Sequence, residues 1–104
     1  MATRAQIQEL VDRLVEGYQP ENAILFGSHA YGTPREDSDV ELFVSKDDTR
    51  PRPEQGIAAG LAIGRRKIGV DVLVYTQNEF ADENPRYNGL IKDVLERGIL
   101  MYAR

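Results

Sequence analysis

Residues 24–44, ILFGSHAYGTPREDSDVELFV, decide how this chain folds. The apolar run at residues 23–26 reads as a buried strand. It breaks at Gly27-Ser28, a small pair that lets a backbone approach an anionic group closely. After a polar connection containing Gly32 and Pro34, a second strand begins at Ser38 and carries Asp39 and Glu41. Strand residues two apart share a face, so Asp39 and Glu41 point one way while Val40, Leu42 and Val44 point the other. Two carboxylates side by side repel, and a cation between them removes the repulsion. Hard oxygen donors suit Mg²⁺, which takes one or two carboxylates together with substrate phosphates. A close-approach turn followed by a paired-carboxylate strand points to metal-assisted chemistry on a nucleoside triphosphate.

Residues 68–75 form the next apolar, β-branched run and read as a third strand. Val70, Val72 and Val74 share one face; Asp71, Leu73 and Tyr75 share the other. A lone carboxylate among β-branched residues needs a partner. If this strand lies beside the Asp39 strand, Asp71 completes a cluster of three carboxylates with Asp39 and Glu41.

The rest of the chain reads as scaffold. Thr3 and Gln6 make a capping-box pattern, and Ile7, Leu10, Val11, Leu14 and Val15 follow helical spacing, with Gly17 as the expected cap. Residues 45–53 read as an exposed, mobile loop. A helix is expected over 53–66, where Gly56, Gly60 and Gly64 either weaken it or allow close packing on the sheet. Arg65-Arg66-Lys67 reads as a solvated helix end, with a triphosphate clamp as the other reading. Residues 76–83 read as a connection with one helical turn. Asn84-Pro85 opens a helix to about residue 97, with Leu90, Ile91, Val94 and Leu95 as its stripe. Gly98 ends it before a final strand at 99–102. His29 is expected at the surface or rim of the turn, Arg35 as a solvated loop charge, and Asp37 outside the ligand set.

Composition narrows the function classes. The chain has 104 residues, which suits one domain over 1–104. It has no cysteine and one histidine, which excludes thiol catalysis and multi-histidine metal sites. The net charge of −4 argues against general nucleic-acid binding. No apolar run reaches membrane-spanning length and no signal peptide is visible, so the expected compartment is the cytoplasm.

The segment Gly27-Ser28-His29-Ala30-Tyr31-Gly32, followed by Ser38-Asp39-Val40-Glu41-Leu42, resembles the signature of the DNA polymerase beta-like nucleotidyltransferase superfamily. That signature is Gly-Ser, a variable linker, then Asp-x-Asp or Asp-x-Glu on the next strand. The chain is most similar to the minimal nucleotidyltransferases, small stand-alone domains often encoded beside a HEPN-domain partner. The resemblance covers most of the chain. It implies an α/β (α+β) fold, with a small mixed sheet of about four strands flanked by helices. It implies two Mg²⁺ ions, with Asp39 and Glu41 bridging both and Asp71 binding the one near the acceptor and helping to deprotonate it. Gly27 and Ser28 would position the triphosphate. The implied reaction is in-line attack of a hydroxyl on the α-phosphorus, with release of pyrophosphate.

The implied donor is ATP, and the implied acceptor is a tyrosine hydroxyl on a HEPN ribonuclease toxin. The chain would then be the antitoxin of a hetero-oligomeric pair. The sequence departs from the commoner pattern at Glu41, one methylene longer than Asp, and at Tyr31, where many minimal nucleotidyltransferases carry arginine. These departures and the small size support a second reading, a non-catalytic module that neutralises its partner by binding. A third reading is a subunit that modifies a small-molecule hydroxyl after pairing with a helical protein.

Overall fold

The computed structural model describes residues 2–81 and 85–104, the side chains of 80–88 excepted. Among these, the chain runs α1 (Arg4–Tyr18), β1 (Asn22–Phe26), α2 (Ser28–Tyr31), β2 (Val40–Ser45) and α3 (Arg52–Ile63). It continues β3 (Val70–Tyr75), α4 (Gln77–Ala81), α5 (Pro85–Arg97) and β4 (Ile99–Ala103). The strands form one four-stranded mixed sheet in the order β3-β2-β1-β4. β1 pairs antiparallel with β2 and with β4, while β2 and β3 run parallel. A parallel pair needs a crossover, and α3 supplies it.

The period-2 pattern sorts the sheet residues as expected. Ala23, Leu25, Val40, Leu42, Val44 and Val74 pack against Ile7, Leu10, Val11 and Leu14 of α1 and Ala59 and Ile63 of α3. Ile24, Phe43 and Tyr75 turn the other way, onto Ile91 and Val94 of α5. Phe43 and Tyr75 stack with ring centroids 4.6 Å apart. Glu41 and Asp71 have the parity of Phe43 and Tyr75, so they lie on the α5 face.

The capping box at Thr3 and Gln6 is formed. The helix does not stop at Gly17, however; it runs to Tyr18 and is capped by Gln19 in the left-handed region (φ 55). Gly17 is instead where α1 and α3 touch. A Cβ there would stand 2.7 Å from that of Ala62. The glycines of α3 were expected either to weaken it or to let it pack closely on the sheet. Gly56 and Gly60 face open space, and Gly64 (φ 74) ends the helix. Leu95 was assigned to the stripe of α5 and is 58% exposed. Gly98 ends α5 because a side chain would overlap the Val94 carbonyl oxygen and the Ile24 side chain. A Thr76–Glu79 capping box starts α4, each side chain bonding the other's backbone N–H. Asn84, expected as a helix cap, lies outside the described residues.

The segment after β2 is exposed over most of its length, as expected, but it is pinned rather than loose. Asp48 is buried and accepts bonds from the Tyr18 hydroxyl (2.8 Å) and the Arg50 guanidinium (2.9 and 2.6 Å). Gln55 Nε2 donates to the carbonyls of Asp48 and Arg50, both at 2.9 Å. Lys46 reaches the Tyr18 carbonyl and sits over its ring. The loop is polar because these groups bond one another, not because all of them face water.

The Arg50 guanidinium holds Asp48 well below its ordinary value of 3.8. Burial, then Asp48, pushes the Tyr18 hydroxyl above its ordinary 10.0. Unfolding therefore takes up a proton below about pH 4 and releases one above about pH 10, and stability falls on both sides of that window. Urea titrations across pH will show a plateau between these limits, with the acid limb shallower in Asp48→Asn. At neutral pH, Asp48→Ala leaves the Tyr18 hydroxyl and Arg50 without their buried partner. It will cost about 3 kcal/mol and lower Tm by roughly 10 °C or more, read by calorimetry.

Candidate active site

β1 ends by delivering Phe26 opposite Glu41, and the chain then turns at Gly27. Gly27 has φ 76 and ψ −160, a conformation reserved for glycine. The turn opens α2, one helical turn whose Ala30 and Tyr31 N–H groups bond the Gly27 carbonyl, both at 3.0 Å. Ser28 is its first residue. Gly27 and Ser28 therefore stand at the same end of the sheet as Glu41.

β2 begins at Val40, so Asp39 lies just before the strand, where Ser38 had been expected to open it. The Val40 N–H bonds the Gly69 carbonyl (2.8 Å), fixing the start of the parallel pair. In that register Glu41 and Asp71 are direct partners. Neighbouring strands lie about 4.8 Å apart and alternate residues about 6.6 Å, so Asp39, Glu41 and Asp71 start from adjacent backbone positions. Asp39 and Asp71 are exposed and Glu41 is half-buried.

The carboxylates themselves lean apart. That of Glu41 fills the space a Cβ on Gly27 would need, while that of Asp39 fills the space above Gly69. One is turned toward β1 and the other toward β3. Among the described residues, no three His, Cys, Asp or Glu are gathered where they could hold a metal ion. The donor type nonetheless fits a hard divalent cation: carboxylate oxygens carried on neighbouring backbone positions. Gly69 was missed as part of this site. Its signal was a glycine at the entry of a strand, where a close approach is the usual reason.

Tyr31 has a partner set of its own. Its hydroxyl donates to Asp93 Oδ2 (2.8 Å), and the Arg97 guanidinium lies 3.8 Å above its ring. Burial and the Asp93 bond push the Tyr31 hydroxyl up from its ordinary value. The side chain thus ties α2 to α5. His29 does not sit on a wet rim: both ring nitrogens are shielded from water and lack a hydrogen-bond partner among the described residues. Arg35 and Asp37 are exposed, as expected.

The sequence profile of the family described as "Polymerase beta, Nucleotidyltransferase" matches residues 8–104. The chain belongs to this family. Among solved structures, the nucleotidyltransferase domain is similar to a Sulfolobus solfataricus protein assigned to the nucleotidyltransferases, with 20% identity and a TM-score of 0.61, over 94% of this chain and 78% of that one. It is similar also to a chain of a toxin–antitoxin complex solved with AMP-PNP, with 20% identity and a TM-score of 0.62, over 93% and 73%. At that identity the likeness is one of fold. No curated protein sequence matches the chain. No helix among the described residues is long and apolar enough to cross a membrane.

Gly27→Ala will cost about 2 kcal/mol in urea denaturation, through strain at a positive φ. Most of that cost will persist in a Glu41→Ala background. The Glu41 carboxylate is a flexible end that can move aside, whereas the backbone cannot.

Proposed function

We propose that the domain transfers a nucleoside monophosphate, AMP from ATP, to a hydroxyl. The acceptor in this reading is a tyrosine of a HEPN ribonuclease toxin, held in a hetero-oligomer with this chain as antitoxin. One observation carries the reading: the β2–β3 register sets Glu41 against Asp71, at the end of the sheet where Asp39, Gly27 and Ser28 also lie. Membership of the nucleotidyltransferase family supports the reaction class, and the toxin–antitoxin neighbour makes a toxin the first partner to try.

Asp39, Glu41 and Asp71 would hold two Mg²⁺ ions. Bound there, Mg²⁺ would supply activation of the hydroxyl and neutralise charge on the leaving pyrophosphate. Asp71 would also take the proton of the hydroxyl in this reading. With the Glu41 carboxylate turned aside, the bare Cα of Gly27 would let a phosphate approach the backbone, and the Ser28 hydroxyl would add a donor. The oxygen of the acceptor forms a bond to the α-phosphorus as the bond to pyrophosphate breaks.

The leaning-apart of Asp39 and Glu41 favours a second reading, in which the module neutralises its partner by occlusion. The two separate on Asp39→Asn combined with Asp71→Asn. Calorimetry will show ATP binding that needs both Mg²⁺ and Asp39, and mass spectrometry of the HEPN partner will show an added AMP that the double variant abolishes. Neutralisation that survives in the double variant without added mass establishes occlusion instead.

A further inference from the structure

β3 closes one edge of the sheet, and its pairing with β2 uses only half of its backbone. The Gly69 carbonyl takes the Val40 N–H (2.8 Å) and the Tyr75 carbonyl takes the Lys46 N–H (2.9 Å). Odd-numbered residues of β3 therefore turn their backbone groups toward β2, and those of Val70, Val72 and Val74 turn outward. The Val74 carbonyl is taken by Arg52 Nη1 (2.8 Å), whose guanidinium lies over the Tyr75 ring and pairs with Glu79. The outward N–H and C=O groups of Val70 and Val72 have no partner among the described residues. Unpaired backbone groups along a β-branched edge are a template for another extended chain.

The side chains beside this edge say what should lie on it. Asp71 stands between Val70 and Val72, on the α5 face with Glu41. Leu73 follows on the same face and is 37% exposed. Asp71 and Leu73 are about 6.6 Å apart along the strand, close to the reach of a tyrosine side chain. On an added strand, a tyrosine opposite Leu73 would lay its ring on that leucine and bring its hydroxyl to Asp71, its diagonal neighbour. Arg52 stops an added strand at Val74 and so fixes this register.

We infer that β3 docks the acceptor protein by taking an extended, tyrosine-bearing segment of it as an antiparallel fifth strand. The inference rests on the proposed nucleotidyl transfer, in which Asp71 serves the acceptor. Glu41 and Asp71 on this face select against an acidic segment. A second copy of the chain fits less well. Pairing two β3 edges about Val72 sets Val70 against Val74 and makes the two Asp71 side chains diagonal neighbours on one face. Those carboxylates repel, and both acceptor flanks close.

The probe is the peptide acetyl-Thr-Tyr-Val-Gln-Val-Lys-amide, whose valines pair with Val72 and Val70 when its tyrosine lies opposite Leu73. NMR at millimolar peptide will show slowed hydrogen exchange at the Val70 and Val72 amides. N-methylation of both peptide valines removes their donors and keeps their side chains, and will weaken binding roughly tenfold. Glutamate in place of the peptide glutamine, opposite Asp71, will weaken it severalfold. Val72→Pro removes an outward N–H and spares the β2 ladder; with its fold checked by Tm, it will bind about as weakly as wild type binds the methylated peptide. Unchanged affinity on N-methylation overturns the inference. So does a wild type that binds no peptide, or one whose Val70 and Val72 amides are already protected in a dimer seen by sedimentation. If the peptide pairs with the edge but wild type binds no Mg·ATP and mass spectrometry finds no AMP added to the tyrosine, the docking edge stands and the nucleotidyl-transfer reading falls. AMP added equally to the plain and methylated peptides gives the reverse.

Discussion

The parallel pairing of β2 with β3 is the constraint from which the rest follows. Parallel neighbours cannot be joined by a tight turn, so α3 must cross over and pack on one face of the sheet beside α1. That crossing brings α1 and α3 so close that only glycine fits at position 17. The connection into α3 is held down as well, by the network of buried Asp48, Tyr18 and Gln55 with the exposed Arg50. The same pairing sets Glu41 against Asp71, with Asp39 at its entry. Strand register is what puts Asp39, Glu41 and Asp71 at adjacent backbone positions.

Much of this was legible because period-2 patterning is unambiguous where one side of a strand is β-branched. The faces of β2 and β3, the Thr3–Gln6 cap and the break at Gly27 could be read from residue types alone. Boundaries and the reasons for glycines could not. Gly17 resembles a cap in sequence, and only the position of Ala62 shows that it is a contact. Gly56 and Gly60 resemble packing residues and face open space. The polar segment after β2 resembles a loose loop because its hydrogen-bond partners, Tyr18 and Gln55, are distant in sequence or hidden in a helix. Backbone placement of the site residues was readable, since register follows from pattern. The direction of each carboxylate was not, since it depends on where glycines leave space.

Tyr31 shows how a local departure is absorbed by long-range structure. By sequence it is a bulky aromatic in a turn of small residues. In the fold its hydroxyl and ring engage Asp93 and Arg97 of α5, which packs on the carboxylate face of the sheet. Tyr31 therefore joins the turn that carries Gly27 to the helix covering that face. A guanidinium against an aromatic face contributes about 0.5–1 kcal/mol at exposed sites. That is enough to bias the placement of a single helical turn with little burial of its own.

The longer side chain at position 41 has a physical consequence for the site. Its extra methylene extends the carboxylate of Glu41 toward β1, where it lies over the bare Cα of Gly27. The same bare Cα is where a triphosphate would come closest on the proposed reading. Two anions cannot share that space unless a cation lies between them. On that reading, phosphate approach at Gly27 and rotation of Glu41 toward Asp71 would be one event, each favouring the other by the free energy of relieving their repulsion. Gly27 in this account is more than a turn residue. On the proposed reading it is the point at which an internal carboxylate and an incoming phosphate would compete, and a divalent cation would decide the competition.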